Sequence, residues 1–129
     1  MILFFDKNFG TSVPKVLRTL KPPFGIEYFQ AHYELETADD KWLPEVGKKK
    51  WTVIGHDKFN KGESELYAIK NYHLGCFYLW GGQAKRWDKM KIFFRAIDKI
   101  IQADISTPRP FVYAVKKNGN LKSIKLPKA

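Results

Sequence analysis

Short apolar runs that alternate with amphipathic stretches constrain this chain more than any other feature. Ile2-Leu3-Phe4-Phe5 is apolar at every position, which marks a strand covered on both faces, as strands of parallel sheets are. A helical stretch follows, with Thr11 or Ser12 as N-cap, Pro14 just inside, and Val13, Val16, Leu17 and Leu20 at helical spacing. Lys21-Pro22-Pro23-Phe24-Gly25 ends it, and Ile26 to His32 is rich in strand-favouring residues. Strand, helix and strand in that order call for parallel pairing through a right-handed crossover.

The alternation continues. Thr37-Ala38-Asp39-Asp40 leads into Trp42, Leu43 and Val46, then Gly47 and Lys48-Lys49-Lys50, a short helix whose acids and cations lie at the ends its dipole favours. Trp51 to Ile54 is a third strand, Gly55 to Gly62 a loop, Glu63 to Tyr72 a helix, and Gly75 to Trp80 a fourth strand closed by Gly81-Gly82. Ala84 to Asp104 forms the longest helix, with Trp87, Met90, Phe93, Phe94, Ile97, Ile100 and Ile101 as its apolar stripe. After Thr107-Pro108-Arg109-Pro110, Phe111 to Val115 is a strand, Asn118-Gly119 a hairpin turn, and Leu121 to Leu126 the return strand. The expected fold is α/β: one domain over residues 1–129, its central, mainly parallel sheet flanked by helices, with a C-terminal β-hairpin. A chain of 129 residues suits one compact core, and 44% hydrophobic with 16% aromatic residues excludes disorder.

Function enters through charge. Lys and Arg number 23 against 13 Asp and Glu, a formal charge of +10, which favours polyanionic partners, nucleic acid first among them. Acids nevertheless recur where strands end: Ile2 to Phe5 runs into Asp6, Ile26 to His32 toward Asp39, and Trp51 to Gly55 into Asp57. Ligands of open α/β sheets bind in the crevice outside the carboxyl ends of the strands. Three carboxylates meeting there repel one another unless a cation is present. Mg²⁺ suits such oxygen donors, and hydrolysis of a phosphodiester is the natural reaction of water activated in that way.

Each acid also has a local role available to it. Asp6 fits an Asx-turn, and one of Asp39 and Asp40 fits an N-cap, which leaves its neighbour surplus to capping. Glu63 and Glu65 open a helix and suit its dipole, with Glu65 a candidate fourth acid. Lys58 and Lys61 follow Asp57 and border the crevice, while Lys48 to Lys50 and Lys85-Arg86 through Lys91 are further candidates for phosphate contact. Cys76 lies in an apolar run and reads as a buried hydrophobe; with His32 and His73 it lacks zinc-ligand spacing. Nucleotide-binding and nucleophile-elbow motifs are absent. The chain opens on a strand-like segment rather than a secretory leader, and no apolar run approaches the ~20 residues that span a bilayer. A cytoplasmic protein without membrane partners is expected.

These residues carry a resemblance that runs nearly end to end. Phe4-Phe5-Asp6-Lys7-Asn8-Phe9, Asp39-Asp40-Lys41-Trp42-Leu43-Pro44-Glu45 and Trp51-Thr52-Val53-Ile54-Gly55-His56-Asp57 resemble the acid-bearing segments of PIN-like nucleases, in particular their VapC-type toxin subgroup. Tyr78-Leu79-Trp80-Gly81-Gly82 and Thr107-Pro108-Arg109-Pro110-Phe111 are similar to the same subgroup. The resemblance implies a Mg²⁺- or Mn²⁺-dependent endoribonuclease, the toxin of a toxin-antitoxin system, held in check by a cognate antitoxin that occludes the site, with a homodimer among the assemblies to expect. It implies Asp6, Asp39 and Asp57 as metal and catalytic acids, with Glu65 as the fourth; Asn8, Asp40 and Glu63 are candidate auxiliaries, and Lys7, Lys58, Lys61, Lys85 and Arg86 candidate contacts to RNA. Two departures stand out. The family commonly carries Ser or Thr two residues before the third acid, where Gly55 stands, and Glu63 and Glu65 match the fourth acid only approximately. They motivate the alternative of a PIN-like module that binds or regulates nucleic acid with weak or absent catalysis.

Overall fold

The computed structural model describes residues 1–56, 63–79 and 85–128. Strand β1 (Ile2–Phe5) is followed by a 3-10 turn (Lys7–Phe9) and helix α1 (Ser12–Thr19); β2 (Gly25–Tyr28) by a second 3-10 turn (Phe29–Ala31) and α2 (Asp39–Lys49). Then come β3 (Thr52–His56), α3 (Glu63–Asn71), β4 (Gly75–Leu79), α4 (Arg86–Ser106), β5 (Phe111–Val115) and β6 (Leu121–Ser123). All six strands join one sheet in the order β2-β1-β3-β4-β5-β6. Every pairing is parallel except β5 with β6. The α/β fold with a C-terminal hairpin is therefore the one the sequence predicts. The order reverses between β1 and β3, and such a reversal opens a crevice outside the carboxyl ends of those strands.

Strand alternation sorts the core onto two faces. Leu3, Phe5, Ile54, Phe77, Leu79 and Val115 pack against Val13 and Leu17 of α1 and Phe93, Ala96 and Ile100 of α4. Phe4, Val53, Cys76, Tyr78 and Val112 pack against Trp42 and Val46 of α2 and Ile69 of α3. Cys76 is buried, as expected of a small hydrophobe. At the turn of the hairpin, Asn118 Oδ1 accepts from the backbone N–H of Asn120 at 3.0 Å and Gly119 takes φ +88°, the chemistry Asn-Gly supplies.

Helix α2 is seated by Gly47, whose bare Cα allows the backbone carbonyl of Tyr72 to approach: a Cβ there would lie 2.3 Å from that oxygen. The helix runs on to Lys49 and ends on Lys50 in the left-handed region.

Several boundaries differ from expectation. The second strand stops at Tyr28, because Phe29 to Ala31 turn into a 3-10 helix that buries Phe29 beneath Trp42. The return strand stops at Ser123. Trp87 and Phe94 lie outside the core stripe of α4, at 71% and 50% exposure. The face turned to the sheet is Ile92, Phe93, Ala96 and Ile100, and at 3.6 residues per turn Trp87 and Phe94 fall roughly 150° round the helix from its centre. No described helix is long and apolar enough to cross a membrane.

Candidate active site

Asp6 is the first residue beyond β1, and its backbone N–H donates to the Ile54 carbonyl at 3.0 Å, so the strand ladder itself places it at the switch point. Its Oδ1 accepts from the backbone N–H of Asn8 at 2.8 Å, capping the 3-10 turn. Asp6 thus makes the local turn foreseen for it and still lines the crevice, at 9% exposure. The Asx role and a site role coexist because a carboxylate has two oxygens.

Across the crevice stands the start of α2. Its N-cap is Ala38 rather than either acid, so Asp39 and Asp40 occupy the first turn, where the helix dipole favours them. Neither caps the helix, which corrects that expectation; Asp39 Oδ1 instead accepts from Trp42 Nε1 at 3.0 Å. Glu65 and Ser64 come from the opening turn of α3. Asp6, Lys7, Asn8, Asp39, Asp40 and Glu65 line one cleft of about 400 Å³, floored by apolar side chains of α2 and α3 and by Tyr78 of β4. Four acids from three distant segments are brought to one concavity.

The remaining candidates distribute unevenly. Asp57, Lys58 and Lys61 lie outside the described residues, as does the side chain of Glu63. Lys85 is the N-cap residue of α4 and Arg86 its first residue; Arg86 Nη1 donates to Ser12 Oγ at 3.3 Å, and neither lines the cleft. Lys7 Nζ donates to the Leu35 carbonyl at 3.3 Å.

Two residues near Asp6 are not singled out individually by the sequence, Tyr78 standing within one of the resembling segments and Lys89 within the basic run from Lys85 to Lys91. Tyr78 lies on the inner face of β4, and its pKa is held well above the ordinary tyrosine value, first by burial, with the charges of Asp6 and Glu65 acting in the same direction; the hydroxyl keeps its proton. Lys89 reaches back from α4 to the carbonyls of Phe9 at 3.3 Å and Asn8 at 3.5 Å. Burial lowers its pKa, and the nearby charge of Asp6 opposes that. The spacing of α4 could have singled out Lys89 only once the helix was known to start beside the Asp6 loop.

The acids of the cleft offer oxygen donors, the ligands that hard divalent cations require. Among the described residues, no group of three or more His, Cys, Asp or Glu side chains is arranged to hold a metal ion. Asp57, which follows β3 in the sequence, lies outside the described residues.

An open, mainly parallel sheet with carboxylates gathered at its point of reversal defines a class of α/β proteins whose chemistry sits at the carboxyl edge. Within it, this chain belongs to the PIN-like domain family, whose model matches residues 1–81. The matched stretch carries Asp6, Asp39, Asp40, Asp57, Glu63 and Glu65. PIN-like domains are generally nucleases, and they typically use divalent metals. No curated protein and no solved structure matches the chain.

Proposed function

We propose that this chain is a Mg²⁺- or Mn²⁺-dependent endoribonuclease of the VapC-type toxin subgroup, a single PIN-like domain over residues 1–129 that acts in the cytoplasm. The observation that carries the reading is the convergence of Asp6, Asp39, Asp40 and Glu65 on one cleft at the switch point of a basic protein. Asp6, Asp39 and Asp57 hold the ion, Glu65 is the fourth acid, and Asn8, Asp40 and Glu63 assist. A bound ion supplies Lewis acidity that makes water nucleophilic and offsets charge on the scissile phosphate. The chain's own part is positional. The Asn8 amide fixes one Asp6 oxygen, the Trp42 indole fixes one Asp39 oxygen, and Lys7, Lys58, Lys61, Lys85 and Arg86 attract the RNA backbone. A cognate antitoxin covers the cleft, and two copies pair as a homodimer.

The test is cleavage of a labelled RNA with Mn²⁺ or Mg²⁺, with EDTA, and with Asp6→Asn. The expected result is turnover that needs the metal and falls by at least ~100-fold in the variant, the scale on which removal of a group stabilising the transition state is felt. Cleavage that survives chelation, or an Asp6→Asn protein as active as its parent, rejects the mechanism. A second reading, a PIN-like module that binds RNA without turning it over, draws support from Asp6 and Asp39, each of which already commits an oxygen to its own loop or helix. Salt-sensitive RNA binding without metal-dependent products over long incubation identifies that case.

A further inference from the structure

Position 55 is where this chain departs from its resemblance, and the cause lies on the neighbouring strand. Gly55 of β3 is opposite Tyr78 of β4 in the parallel register. Val53 and Cys76, two residues before each, belong to the core on the α2 and α3 side, as does Tyr78 itself, so alternation puts position 55 on that side too. A Cβ on Gly55 would lie 2.4 Å from Cδ1 and 2.5 Å from Cε1 of Tyr78, and 3.2 Å from Oδ2 of Asp6. One point is thus flanked by the Tyr78 ring and a carboxylate. The Tyr78 ring fills the volume that a side chain at 55 would use.

Resting on the metal-nuclease reading, we infer that Tyr78 is a positioning residue of the acid cleft: its ring, admitted by Gly55, walls the Asp6 carboxylate and holds it toward the cleft. The Asn8 amide on Oδ1 and the ring beyond Oδ2 together leave Asp6 little freedom to rotate. Gly55 is then a consequence of Tyr78 and not a sign of a decayed site.

Calorimetric titration of Mn²⁺ into the full chain, with thermal midpoints measured alongside, tests this. Groups that orient ligating carboxylates are worth ~10–100-fold in metal affinity, so Tyr78→Leu and Gly55→Ala should each weaken Mn²⁺ binding by that factor, while Tyr78→Phe stays within about 3-fold. Gly55→Ala removes no atom of the ring and only displaces it, so it answers even if Tyr78→Leu fails to fold. Gly55→Ser combined with Tyr78→Ala places a side chain beside Asp6 Oδ2 again and should recover part of the affinity that Tyr78→Ala loses. A purely structural tyrosine would lower the midpoint and leave affinity unchanged, and that result in Tyr78→Leu or Gly55→Ala overturns the inference. Tyr78→Phe as weak as Tyr78→Leu overturns the assignment to the ring. Asp6→Asn separates the two levels. Binding lost in Asp6→Asn but kept in the position 55 and 78 variants sinks this inference alone, whereas a parent protein that binds no Mn²⁺ sinks the metal reading beneath it.

Discussion

Gly47→Ala sets two effects of opposite sign against each other. Alanine is the better helix former by about 1 kcal/mol, so a helix considered alone predicts stabilisation. The packing of α2 says otherwise. The added Cβ would sit 2.3 Å from the Tyr72 carbonyl oxygen and 3.4 Å from Leu74 Cδ2, whereas carbon and oxygen ordinarily approach to about 3.3 Å. The obstacle is backbone, which no rotamer change relieves, so α2 must retreat by roughly 1 Å from the turn that follows α3. Overpacking of this kind costs about 1–3 kcal/mol. With the steric term near the top of that range, the net is a loss of about 2 kcal/mol, or about 6 °C in thermal midpoint for a domain of this size. Because α2 carries Asp39 and Asp40, the nuclease activity proposed for the cleft should fall further than stability does, up to ~100-fold for a displacement of about 1 Å. Urea unfolding and RNA cleavage of the same protein measure both. A Gly47→Ala chain that is more stable than its parent refutes the close approach and the argument built on it.

Two further outcomes follow from the same geometry. Trp87→Ala should leave stability within about 0.5 kcal/mol, as exposed substitutions do, while Phe93→Ala, from a site 1% exposed, should cost about 3–5 kcal/mol; comparable losses in urea melts would reinstate Trp87 in the core. Lys89 has a lowered pKa in the folded chain, first through burial, so between that value and the ordinary lysine value the unfolded chain binds more protons. Stability should therefore gain as pH rises through that alkaline window, and the gain should vanish in Lys89→Met; parallel urea midpoints against pH in the two proteins would contradict it.

The elements were legible because their signals are local. Ile2 to Phe5 is a strand in any context that buries both faces, Pro14 and the spacing of Val13 and Leu17 make a helix on their own, and Asn118-Gly119 turns the chain within four residues. The alternation of these elements sufficed for a parallel sheet, and Asp6 and Asp39, singled out along the chain, line one cleft. What the sequence alone left open were matters of company. Asp39 could equally cap its helix or face the cleft until Ala38 took the cap and Trp42 took one oxygen. Trp87 and Phe93 are equally apolar, and only the angle at which α4 lies on the sheet buried one and exposed the other. Gly55 read as a missing hydroxyl until register set Tyr78 beside it. Local preferences act over a few bonds and can be read along the chain. Register and helix placement are settled by packing summed over both faces of the sheet, so the neighbours of Asp6 emerge only when the whole core has formed.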